Sequence, residues 1–160
     1  MINVHVDIGD IYHKLHRLFN AKLDYEKYLD YVEERFGKID RALAYGSQRD
    51  NEASGFITCL KSIGFEVKFK RPRIFRIGDR EIKQCNWGVD IAIDALNGMD
   101  SGDAVVLGVS STDFIPLIVA LKKRGIRVII FASDVPSVLC KLAHEVIEIT
   151  PPLFEEENDD

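Results

Sequence analysis

The 160-residue sequence is poor in cysteine: Cys59, Cys85 and Cys140 form an odd set with no CxxC spacing. That argues against a disulfide framework or a clustered zinc site and makes a reducing cytoplasm the expected setting. Surplus positive charge is also missing. Lys and Arg total 21 against 26 Asp and Glu, a formal net charge of -5, so the molecule as a whole is not a polycation made for nucleic acid. No apolar run approaches the ~20 residues of a membrane span. Asp7 and Asp10 interrupt any basic-then-apolar leader pattern, so no membrane association is expected. Neither GxGxxG nor GxxxxGK occurs, which removes the sequence case for a dinucleotide or P-loop nucleotide site. What remains is an ordinary soluble composition, 46% hydrophobic and 29% charged, long enough for one real core.

Along that chain, helical and strand patterns alternate. Ile2 to Asp7 reads as a short strand, and Ile11 to Phe19 carries apolar residues at helical spacing. Asp24 is a plausible N-cap for a helix over Tyr25 to Phe36, with Gly37 as its stop. Ile39 to Tyr45 is a second strand, and Asn51 opens a helix that Gly64 closes. Phe65 to Lys70 alternates like a strand with one wet face. Residues 73–77 and 80–83 flank Gly78-Asp79, the pattern of an irregular hairpin or flap. A helix follows from Gly88 to Asn97, then the strand Ala104 to Val109, buried on both faces by its composition. Phe114 to Leu121, with Pro116 in the first turn, Val128 to Phe131, Pro136 to Ala143 and Val146 to Ile149 complete the pattern. The expectation is a three-layer α/β domain over residues 1–150 with a mainly parallel central sheet, followed by an acidic, disordered tail over 151–160.

The carboxylates carry the chemistry. If the first strand neighbours the 104–109 strand, Asp7 and Asp113 both lie near the carboxyl edge of the sheet, where open α/β folds place their sites. Asp90 and Asp94 are one helical turn apart on a stretch that is otherwise apolar almost all round, which implies burial. Buried carboxylates are costly unless paired, hydrogen-bonded or bound to metal, and neither has a basic residue at i±3 or i±4. Together with Asp10, these groups point to a hard-cation site for Mg²⁺ or Mn²⁺, able to activate water and neutralise phosphodiester charge. The plainer alternative is that Asp7 and Asp113 cap helices and Asp94 makes a surface ion pair.

Three motifs in order resemble the NYN domains, LabA-like proteins of the PIN-like nuclease group. They are Val6-Asp7-Ile8-Gly9-Asp10-Ile11-Tyr12, Gly88-Val89-Asp90-Ile91-Ala92-Ile93-Asp94 and Thr112-Asp113-Phe114-Ile115-Pro116-Leu117. The resemblance covers nearly the whole chain and implies a PIN-like fold and a metal-dependent ribonuclease. It implies that Asp7, Asp90 and Asp113 hold Mg²⁺ or Mn²⁺, with Asp94 as a further acidic group. Two departures stand out. Asp10 occupies a place where the family usually has Asn, and Ser111 stands where it usually has the first of two acids before the late helix. Ser111 brings no charge, so a degenerate domain that binds RNA or a protein partner without cutting is the alternative.

Charge is unevenly spread. Lys68, Lys70, Arg71, Arg73, Arg76, Arg80 and Lys83 fall in one stretch against Asp79 and Glu81, with Phe69, Phe75 and Trp87 interleaved. Cations with aromatics suit a single-stranded RNA backbone and its bases; Arg73, Arg76 and Lys83 are the expected grips, with Ser111 and Thr112 bonding a phosphate or a bound water. The bland reading is an edge hairpin charged against aggregation. His13 and His16, at i and i+3 beside Asp10, are placed to touch a phosphate or a metal but are read first as a solvated face, and His5 as structural. Cys85 lacks a His-Asp partner pattern, Ser110 to Thr112 lack a nucleophile elbow, and the first strand lacks the DxD of a phosphotransferase. Exposed sheet edges in small α/β domains often pair, which leaves a homodimer open.

Overall fold

The computed structural model describes residues 1–47 and 54–157. Its strands are β1 (Ile2–Asp7), β2 (Arg41–Ser47), β3 (Glu66–Lys70), β4 (Arg73–Ile77), β5 (Arg80–Gln84), β6 (Ala104–Gly108), β7 (Arg127–Ala132) and β8 (Glu145–Glu148). The helices are α1 (Ile8–Phe19), α2 (Tyr25–Phe36), α3 (Ser54–Ile63), α4 (Gly88–Leu96), α5 (Ile115–Lys123) and α6 (Ser137–Leu142). Six strands form one sheet in the order β3-β2-β1-β6-β7-β8, and every neighbouring pair is parallel.

Strand periodicity explains the two cores. Val4 and Val6 of β1 face one way, with Ala42, Ala44, Val106, Ile129 and Phe131, and meet Ile11, Leu15, Tyr28, Val32 and Leu60 of α1 to α3. Leu43, Tyr45, Val105, Leu107, Val128 and Ile130 face the other way, against Ile91, Ala95, Leu117, Ile118, Leu121 and Leu139 of α4 to α6. This is the expected three-layer arrangement. Gly108 matters to it, because a Cβ there would lie 3.0 Å from the Tyr28 hydroxyl and 3.2 Å from Val6 Cα. That space lets Tyr28 reach across and donate to the Phe131 carbonyl at 2.8 Å.

From β1 the chain builds outward to β2 and β3, then returns to the far side of β1 and builds outward again through β6, β7 and β8. The direction reverses between β1 and β6. At such a switch point the connections leave opposite faces and open a crevice beyond the carboxyl ends of the two strands.

Several boundaries differ from expectation for physical reasons. The first helix starts at Ile8, because Asp7 itself caps it. The second strand runs from Arg41 to Ser47, since Asp40 is used to clasp the start of β1, accepting from the Ile2 N–H at 2.7 Å. Asn51, expected to open α3, lies outside the described residues. The flap is not irregular: β4 and β5 form an antiparallel ribbon of five register pairs, closed at Gly78 with φ +62°. The tail does not begin at 151. Leu153 is buried, Leu23 and Phe154 form a β-bridge, and Glu155 N–H donates to the Lys22 carbonyl at 2.8 Å. Two apolar side chains anchor that segment before the acidic run begins. No described helix is long and apolar enough to cross a membrane.

Candidate active site and nucleic-acid interface

The switch point gathers Asp7, Asp10 and Ser110. Asp7 ends β1 in extended conformation and its Oδ1 accepts the Asp10 N–H at 3.2 Å, capping α1. Asp10, in the first turn, is reached from β6: Ser110 Oγ lies 2.8 and 2.9 Å from its two carboxylate oxygens and donates to them. Ser110 is only 3% exposed. Burial pushes the Asp7 carboxyl up to about 6, with the Asp10 charge adding to the rise against the backbone N–H groups of Asp10 and Gly9. Asp10 is likewise raised by burial, opposed by the Ser110 hydroxyl and by Lys14 and His13. The cavity above them, about 360 Å³, is lined by Asp7, Asp10, His13, Lys83, Cys85 and Trp87 among others.

The second acidic pair is treated differently. α4 is not buried all round; Ile91 and Ala95 pack inward while Val89 and Ile93 are 73% and 54% exposed. A nine-residue helix laid on a sheet has only one side to bury. Nor are its carboxylates unpaired: Lys68 of β3 reaches Asp94 at 2.7 Å and Lys70 reaches Asp90 at 3.0 Å. Lys70 also sits 4.1 Å over the Trp87 ring. Asp94 further accepts from the Tyr45 hydroxyl at 2.9 Å. Burial pushes Asp94 up, but Lys68 and Tyr45 outweigh it and hold its carboxyl below the usual range.

Because the Tyr45 proton goes to Asp94, Tyr45 can only accept from His5 Nδ1, 2.9 Å away. His5 is therefore the Nδ1–H tautomer, and burial drives its basicity down to about 4, keeping it neutral. This supports the structural role expected of His5.

Ser111 caps the 3-10 turn at 112–114 by accepting the Asp113 N–H at 3.1 Å. Asp113 is thus the capped residue and not the cap, and both it and Thr112 are exposed. The structure therefore brings Asp7 and Asp10 together in one cavity and does not gather Asp90 and Asp113 there. Among the described residues, no group of three or more His, Cys, Asp or Glu side chains is placed to hold a metal ion.

The basic stretch meets this cavity at Lys83. In the β4–β5 ribbon, Arg76 and Lys83 share one face, and Arg73 lies on the other, opposite Gln84. Lys83 lines the acidic cavity. Arg73 lines a second cleft, about 440 Å³, with Lys70, Arg71, Gln84, Cys85 and Asn86. Gln84 and Cys85 belong to both, so a cationic cleft runs into the acidic one. Sequence reasoning put Lys68 and Lys70 in the basic stretch but missed their pairing with Asp94 and Asp90, as it missed the roles of Ser110 and Tyr45 and the place of His13 on the cavity wall. A signal for the lysines was available. Two residues along a strand span about 6.7 Å and four along a helix about 6 Å, so Lys68/Lys70 and Asp90/Asp94 match as a ladder.

An open, doubly wound α/β sheet with carboxylates and a basic ribbon at its switch point is the class that fold and site define. Residues 1–150 match the family model described as the NYN domain, and the chain belongs to that family, which stands with the PIN-like nucleases. Among solved structures, the chain is similar to a protein of unknown function from Vibrio parahaemolyticus, with 23% identity and a TM-score of 0.82 over 96% of this chain and 95% of that one. That likeness speaks to the fold. No curated protein matches the sequence.

Proposed function

We propose that this domain is a metal-dependent ribonuclease of the LabA-like kind, acting in the cytoplasm on phosphodiester bonds of single-stranded RNA. The observation that carries the reading is the Asp7–Asp10 pair: two neighbouring carboxylates at the switch point, both pushed up by burial. They accept from N–H groups and a hydroxyl, and among the described residues no cation is salt-bridged to either. Such a donor set fits Mg²⁺ or Mn²⁺, hard cations that keep several waters and bind through one or two carboxylates plus phosphate. Asp7 and Asp10 are the residues that would hold the ion, and the chemistry it supplies is neutralisation of phosphate charge and activation of water.

The chain's own groups do the rest. Ser110 fixes the Asp10 carboxylate, Lys83 binds a phosphate oxygen in the cavity, and Arg73 and Arg76 grip phosphates along the two faces of the ribbon. Ser111 and Thr112 bond the phosphate from the turn after β6. The His13 imidazole, on the same wall as Asp10, delivers a proton to the departing sugar oxygen. Asp113 supplies further negative charge at the carboxyl edge, Asp90 is answered by Lys70, and Asp94 holds α4 through Tyr45.

The test is cleavage of a labelled single-stranded RNA with Mn²⁺ or Mg²⁺, with and without EDTA, beside Asp7→Asn. Metal-dependent cutting lost in the variant supports the reading; cutting by Asp7→Asn at the normal rate sinks it. A second reading, a domain that binds RNA or protein without cutting, is favoured by the lysines that already answer Asp90 and Asp94 and by the uncharged Ser111. Salt-sensitive RNA binding without cleavage selects it.

A further inference from the structure

Helix α1 has a second face at the switch point. Asp7, Asp10 and His13 look into the acidic cavity, while Ile8, Ile11 and Tyr12 of the same two turns line a separate one of about 280 Å³. Leu23, Tyr25 and Phe56 complete its walls, with Lys22 and Glu155 also on it. The β-bridge between Leu23 and Phe154 sets Lys22 and Glu155 side by side. Three aromatic rings stand in the wall, and Tyr25 meets Phe56 edge-on at 5.7 Å and, behind it, Phe65 at 5.9 Å. Tyr12 is stacked on His16 at 5.8 Å with rings 5° from parallel, which holds its ring in place. Tyr12 and Phe56 are 46% and 38% exposed, large apolar rings left open at a cavity mouth.

Tyr25 is the telling residue. It is 8% exposed, and its hydroxyl, which is not one of the sealed, unpartnered polar atoms of the described core, opens onto the cavity it lines. Burial raises its pKa, and so do the charges of Asp7 and Glu155.

We infer that the cavity formed by Ile8, Ile11, Tyr12, Leu23, Tyr25 and Phe56 is a nucleobase subsite, taking one unpaired base of an RNA strand whose backbone crosses the neighbouring acidic cavity. The chemistry matches a base better than an aliphatic ligand. A base offers a flat π-face to Tyr12 and Phe56, and a polar edge to the Tyr25 hydroxyl, the Glu155 carboxylate and the Lys22 ammonium. Glu155 accepts only, so it favours guanine, whose adjacent N1–H and N2–H groups match the two oxygens of a carboxylate. The inference rests on the ribonuclease reading for where the phosphate lies, but not for the base contact itself.

The experiment uses free nucleosides, which carry no phosphate and so do not depend on the basic ribbon. Ligand-observed saturation-transfer NMR on the full chain with adenosine, guanosine, cytidine and uridine, in EDTA, is the first arm. We expect saturation of base protons, strongest for guanosine with its two adjacent pairing-edge N–H donors, lost in Tyr12→Ala and Phe56→Ala and kept in Arg76→Ala. Both truncated rings are at the surface, and an unchanged circular dichroism melt establishes that the variants fold. The second arm is anisotropy of a labelled decamer RNA, where each truncation is expected to weaken binding roughly 5- to 150-fold, the worth of one stacked base. Absent nucleoside saturation, or saturation untouched by both variants, overturns the subsite even if the protein cuts RNA. Saturation lost in the variants, in a protein that never cleaves, upholds the subsite and removes the nuclease.

Discussion

Replacing Asp7 by Asn should make the protein more stable at neutral pH, and the gain should vanish in acid. Asn caps helices as well as Asp does, so the bond from the Asp10 N–H survives. What disappears is a carboxylate whose pKa lies near 6 in the folded chain against an ordinary 3.8. An acid raised on folding keeps its proton longer in the native state. Its contribution is full below pH 3.8 and is lost as pH climbs through about 6. The difference amounts to about 3 kcal/mol at pH 7.5. His5 works in the opposite sense. Its basicity falls from 6.5 to about 4 on folding, so its contribution is present above pH 6.5 and is lost as pH falls toward 4. The two nearly cancel in the wild type, whose urea stability should change little between pH 4.5 and 7.5. Asp7→Asn uncovers the His5 slope. In urea titrations with EDTA, the variant should exceed the wild type by about 2 to 3 kcal/mol at pH 7.5 and converge with it toward pH 4.5. A variant less stable at pH 7.5, or a gap indifferent to pH, would refute the burial of charge at this site.

Tyr45→Phe strands His5 Nδ1–H in the core and leaves Asp94 to Lys68 alone; a loss of about 1 to 3 kcal/mol in urea unfolding is expected. Arg76→Ala and Lys83→Ala should each weaken RNA binding for every sequence and lower the slope of log affinity against log salt by about 0.7, the value for one single-strand phosphate contact. Adding Mn²⁺ should raise the melting temperature of the wild type, and this shift should vanish in Asp7→Asn and Asp10→Asn but persist in Asp90→Asn, whose charge Lys70 already answers. Persistence of the shift in Asp7→Asn would place the ion elsewhere.

Much of the fold was legible because its determinants are local. Asp24 before an amphipathic run, Gly37 after it, and continuous apolar strands at 104–109 and 128–131 announce caps and buried parallel strands without tertiary knowledge. What escaped depends on distance. Residues 88–96 look apolar on every side, but composition cannot say which side faces the sheet, and Val89 and Ile93 turned outward. Lys68 and Asp94 are 26 residues apart and Lys70 and Asp90 are 20, so no local window pairs them. Ser110, Ser111 and Thr112 are equivalent hydroxyls in the sequence. The end of β6 made the first a buried donor to Asp10, the second a cap and the third exposed.

The two acidic pairs show how the fold directs charge. Asp90 and Asp94 lie on the outer layer, where β3 is an edge strand with lysines at alternate positions, and each carboxylate gains a cation. Such half-exposed pairs contribute little stability, but they remove net charge from that side. Asp7 and Asp10 lie where β1 meets β6, with strands on both sides; Lys70 and Lys14 act on them through charge, but among the described residues no lysine is salt-bridged to either. Their negative charge is met by N–H groups at a helix N-terminus, which favours anions there, and by one serine hydroxyl. These groups hold the carboxylates in place without cancelling them. On the nuclease reading proposed above, a cation from solution would bind at Asp7 and Asp10, in the cavity that Lys83 lines and that a phosphodiester would enter.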